Sequence, residues 1–213
     1  MASKIRITDP KELEEFVRTH LGHRLTAMVS PICLPKNHPL WNCPCRRNDA
    51  YRAAKEGSYV MLRLFIEFLG VKGAEQATWK LKERTSLRNG EDIHPTDLVL
   101  SCFTNLNGAA LKNLSGTDFG KDEALVAKLH RTLCKINAHF TYDTTKPKFF
   151  DRIDSPRDVD WERAVKIVVT KLDECFYQRV NQPIVLHYDL VGPFTERFTR
   201  LRSSIKGDGL GPT

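Results

Sequence analysis

The sequence predicts a mainly α-helical bundle of five or six helices with at most one or two short strands. Three observations predict it. Apolar residues recur at three- and four-residue steps over several long stretches. Helix-start signals, Asp9-Pro10 and Ser155-Pro156 above all, stand just ahead of two of those stretches. A strand-like pattern is read in one short run, Ile184 to Leu190. With 213 residues, 41% hydrophobic and 28% charged, the chain has the composition of an ordinary globular protein and can bury a core without staples. Residues 1–202 are expected to form a single helical domain. Residues 203–213, glycine- and proline-bearing with no apolar period, form a flexible tail.

The elements follow in order. Asp9 caps a first helix and Pro10 occupies its first position, where the missing N–H is not needed. Leu13, Phe16, Val17, Leu21, Leu25 and Met28 form one apolar stripe, and Pro31 is expected to end the helix. A proline- and cysteine-rich loop follows to Arg47. A second helix starts at Asn48, buries Tyr59, Leu62, Phe65, Ile66 and Leu69, and stops at Gly70. A third, amphipathic piece covers Ala74 to Arg84. Leu98 to Phe103 reads as a short helix or a buried strand, and Asn105 to Gly120 as a surface loop. A long helix runs from Lys121 to about Phe140. The last clear helix opens at Ser155-Pro156, buries Trp161, Val165, Val168, Leu172, Cys175 and Phe176, and ends by Gln182-Pro183. Pro193 to Ile205 reads as a short basic helix whose Phe194, Phe198 and Leu201 pack inward.

The apolar windows Val60–Val71 and Val165–Leu172 are interrupted by charges and too short to span a bilayer. No apolar targeting segment opens the chain, so a soluble, cytoplasmic protein with reduced cysteines is expected. A net charge of +7 favours acidic partners, phosphate backbones foremost. Cys33, His38, Cys43 and Cys45 offer four ligands for zinc. Pro44 between the last two cysteines makes chelation awkward, and the reading assigns no metal. No glycine-rich phosphate loop and no nucleophile-elbow serine occur. No cofactor is assigned either, and His94, His130 and His187 read as isolated structural histidines.

Chemistry concentrates in the stretch from Lys128 to Thr141. At 100° per residue, Leu125, Leu129, Leu133, Ile136 and Phe140 share one face. Lys128, Arg131, Lys135 and His139 share another. Three permanent cations and an imidazole in line can hold a phosphate chain and move a proton near neutral pH.

The string Lys135-Ile136-Asn137-Ala138-His139-Phe140-Thr141 resembles the end of a long helix in HEPN-like helical bundles. That superfamily includes metal-independent ribonucleases, whose signature is an arginine, a polar residue and a histidine further along the helix. The resemblance implies a phosphate-binding Arg131, a polar Thr132, and a catalytic or orienting His139. It further implies RNA as substrate and a cleft between two subunits of a homodimer. Seven residues stand between Arg131 and His139, a longer spacing than the family's usual one. The expected function is RNA or nucleotide-phosphate binding, with Lys128 and Lys135 as substrate contacts and Arg131 and His139 as the catalytic pair. The alternative is a non-catalytic interaction or regulatory protein.

Overall fold

The computed structural model describes residues 7–34, 47–74, 77–84, 98–138 and 156–186, with Glu196, Phe198 and Thr199. The side chains of residues 47–49 and 135–138 are not among them. The architecture is mainly helical with one two-stranded sheet.

Four helical rods make up the bundle. The first, α1, joins Pro10–Glu15, a widened π-type turn at Phe16–Leu21, and Gly22–Cys33. Helix α2 is Arg47–Phe68, α3 is Glu123–Ala138, and α4 is Asp158–Leu172 continued by a second π-type turn, Asp173–Tyr177. The expected five or six helices are thus four long ones among the described residues. The signal at Asp9-Pro10 works as read: Asp9 accepts from the Lys11 N–H at 2.8 Å.

Pro31 does not end α1, which continues to Cys33. Pro31 stands in the last turn of this helix, with only Ile32 and Cys33 after it, so its missing N–H costs a single backbone hydrogen bond near the end. Ser155-Pro156 also departs from expectation. Helix α4 starts two residues later, after Arg157, whose side chain donates to Asp160.

The segment read as a third amphipathic piece is instead a β-hairpin. Strand β1 (Val71–Ala74) runs antiparallel to β2 (Lys80–Glu83), pairing Val71 with Glu83, Lys72 with Lys82, Gly73 with Leu81 and Ala74 with Lys80. Gly70 turns the chain from α2 into β1 with φ of 87°, and a Cβ there would overlap Asn113. Leu98 to Phe103 contains a 3-10 turn, Leu100–Cys102.

One buried cluster unites the elements. Phe103 meets Phe16 of α1 and Phe176 of α4 at centroid distances of 5.1 Å, and Phe68 of α2 at 5.6 Å. The Trp161 indole donates to Ser58 at 3.2 Å, and Ser58 donates to the Met28 carbonyl, which ties α4, α2 and α1 together. No described helix is long and apolar enough to cross a membrane. The run Ile184–Leu190, expected to be a strand, shows no ladder pairing over its described residues, 184–186. Phe198 is buried, as expected for the last basic segment.

Candidate functional site

Helix α3 presents two chemically different faces. Its apolar ridge is as read: Leu129 and Leu133 are buried and Leu125 packs against the core. On the outward face Lys128 is exposed and Arg131 half-buried. Residues three apart on a helix stand about 5–6 Å apart. Among the described residues neither cation is ion-paired, and the Nε of Arg131 is buried with no hydrogen-bond partner. Arg18, Arg52, Arg63, Arg157, Arg163 and Lys171 each lie against a carboxylate. Lys135 belongs to the same helix, but its side chain, and all of His139, lie outside the described residues. Of the cysteine-loop residues, Cys33 is buried at the end of α1, and His38, Cys43 and Cys45 lie outside.

The inward face carries a cluster that spacing alone does not show. His130 and Cys134, one turn apart, point toward α2 and the hairpin. The Gly73 N–H donates to His130 Nδ1 at 3.1 Å. His130 Nε2 stands 3.2 Å from Glu67 Oε1, and that oxygen also accepts from Arg63 Nε at 2.9 Å. Arg84, just past β2, closes on the other Glu67 oxygen at 3.6 Å. Gly73 fits here because it has no side chain: a Cβ would overlap the carbonyl oxygen of Ala127. The hairpin backbone therefore lies directly on α3.

These contacts fix the proton positions. Nδ1 accepts from a backbone donor, so the proton of the neutral ring sits on Nε2 and points to Glu67. Burial disfavours ionised Glu67, but hydrogen bonds from His130 and Arg63 and the charges of Arg63 and Arg84 outweigh it, holding its pKa at about 2. For His130, burial opposes the charged ring, whereas the Cys134 thiol and Glu67 favour it and raise its pKa. The Gly73 N–H works against that rise, because a proton at Nδ1 would face another donor.

Glu67, His130 and Cys134 place one ligand atom each within 4.8 Å of one another, and the trio also has the composition of a nucleophile, a base and an orienting acid. Neither chemistry fits the geometry. A histidine that binds metal through Nε2 donates from Nδ1 to an acceptor, and here Nδ1 meets a donor. The carboxylate is already matched by two guanidinium groups. The Cys134 sulfur stands 3.7 and 3.9 Å from the two ring nitrogens, farther from each than that nitrogen's own partner. With both nitrogens engaged, the imidazole has no lone pair free to take the thiol proton. The cluster is a buried lock between α2, the hairpin and α3.

His130, read from the sequence as isolated, is part of this cluster, and sequence reasoning misses its partners. The one local signal is the four-residue spacing of His130 and Cys134; Glu67 lies 63 residues away in sequence. No family model, no curated protein and no solved structure matches the chain.

Proposed function

We propose that the protein binds the phosphate backbone of RNA through the outward face of α3. The observation that carries this reading is the pair Lys128, exposed, and Arg131, half-buried, which share one side of α3 and make no ion pair among the described residues. The net charge of +7 supports it. Arg131 can hold a phosphate with its planar fork, which lysine cannot match, while Lys128 and Lys135 extend the contact by one turn in each direction. RNA cleavage by Arg131 and His139 at a two-fold interface of a HEPN-like bundle, in the cytoplasm, belongs to the same proposal. Its support is the sequence resemblance.

Filter binding to a single-stranded RNA across salt concentrations tests the reading. Affinity should fall steeply with salt, and each lost phosphate contact should reduce the logarithmic slope by about 0.7. Arg131→Ala and Lys128→Ala should each weaken binding. His139→Ala should leave binding intact and remove cleavage of a fluorogenic RNA. Salt-insensitive behaviour, equal in parent and variants, would sink the proposal and return the protein to the interaction reading.

A further inference from the structure

The hairpin has an outward face of its own. Lys72 and Lys82 are directly opposite in the β1–β2 register, and both are exposed. Side chains so paired share one face with Cβ atoms about 5 Å apart, and like charges in that position destabilise a sheet. Among the described residues neither lysine is ion-paired. Among the described residues, the nearby carboxylates Glu67 and Glu123 are engaged by other groups. Glu67 is enclosed by Arg63, Arg84 and His130. Glu123 accepts from the Leu81 N–H at 3.0 Å and from Lys80 at 3.2 Å. Lys80 shares the lysine face but is matched by Glu123. Glu83 pairs with Val71 and so belongs to the opposite face. Among the described residues, two cations that make no ion pair therefore share one face of the hairpin.

The opposite face of the hairpin packs on α3. The contact of Gly73 with the Ala127 carbonyl puts the hairpin backbone one residue from Lys128 and one helical turn from Arg131.

We propose that Lys72 and Lys82 form a second phosphate-binding surface for single-stranded RNA on the outward face of the hairpin. This inference rests on RNA being the ligand, and its test separates the two surfaces. A ligand phosphate between the two ammonium groups replaces their repulsion with two attractions. The lysines should thus lower the stability of the free protein and raise its affinity for RNA.

Charge reversal reads both consequences at once. In Lys72→Glu and Lys82→Glu the new carboxylate faces the remaining lysine. Each variant should melt at least as high as the parent by calorimetry without RNA. Each should bind a labelled oligouridylate about tenfold more weakly at moderate salt. The paired changes Lys128→Ala and Arg131→Ala, made in an otherwise parental chain, serve as the comparison. If they weaken binding and the hairpin variants do not, the hairpin proposal is overturned and the α3 reading stands. If only the hairpin variants weaken it, the hairpin proposal stands and the α3 reading falls. A parent that ignores the oligouridylate but binds phosphatidylserine vesicles in a Lys72-dependent way overturns the RNA assignment. A hairpin variant that melts well below the parent overturns the claim that the lysine pair is a strained, ligand-directed feature.

Discussion

The two faces of α3 both carry groups that can be charged, and they do different things. Inward, His130 meets Glu67 and the Gly73 N–H, and Glu67 in turn meets Arg63 and Arg84, so every titrating group is matched within the fold. Outward, Lys128 and Arg131 have no carboxylate partner among the described residues. Residue type does not separate the faces; hydrogen-bond and charge valence do. A histidine, a cysteine and a glutamate within reach of one another look like a reactive centre, yet their valences are spent on holding α2, the hairpin and α3 together. The plainer cations outside have valence left for a ligand.

Breaking the inner face should have the largest effect. Glu67→Ala leaves two guanidinium groups and a buried histidine without their shared acceptor. Removing one partner of a buried charged network costs about 3–5 kcal/mol, and urea unfolding at neutral pH should show a loss of that size. A loss below about 1 kcal/mol would mean that the cluster does not hold the hairpin.

Acid probes the same group without mutation. Glu67 titrates at about 2 in the folded protein against 4.5 for its ordinary value. A depressed carboxylate contributes stability that is complete above its unfolded pKa and lost as pH falls toward the folded one. Stability should therefore decline between about pH 4.5 and 2 by a few kcal/mol. Glu67→Gln should flatten that part of the profile, measured by urea unfolding at several pH values. An identical slope in the variant would assign the acid sensitivity elsewhere.

Two glycines sharpen the comparison. Gly73→Ala drives a methyl group into the Ala127 carbonyl and should cost about 2 kcal/mol through overpacking. Gly57, inside α2, has open space on its side-chain side, with nothing within 4 Å of where a methyl group would stand. Gly57→Ala should instead stabilise by about 0.5–1 kcal/mol, because alanine is the better helix former. Thermal melts of both, run beside the parent, should move in opposite directions.

The fold is legible in the sequence where the physics is local. Asp9-Pro10 announces α1 because a cap and a proline act within one turn, and Leu129, Leu133 and Lys128 fall on the expected sides of α3 because helical period alone sorts them. The hairpin escapes such a reading because each strand has only four residues, too few for alternation to declare itself among Lys72, Lys80 and Lys82. Pro31 misleads because it stands in the last turn, where its missing N–H costs one hydrogen bond and the helix still runs on to Cys33. The inner cluster stays hidden for a different reason. Its key contacts join α3 to Glu67 and to Gly73, which lies 57 residues from His130 in sequence, and no local pattern reports such a pairing.

The smallest expected effect belongs to the outer face, and its smallness carries the argument. Lys128 is exposed and makes no ion pair among the described residues, so Lys128→Ala should shift folding stability by no more than about 0.5 kcal/mol. Arg131→Ala loses the packing of the arginine stem but also removes a buried Nε that has no acceptor. An unmatched buried donor is itself unfavourable, so the two effects oppose and the net change should again be within about 0.5 kcal/mol. RNA affinity measured on the same samples should nevertheless fall for both. A residue whose loss leaves the fold untouched and weakens binding is acting on the ligand. If Arg131→Ala instead destabilised the protein as strongly as Glu67→Ala, Arg131 would belong with the inner cluster, and the contrast between the two faces of α3 would collapse.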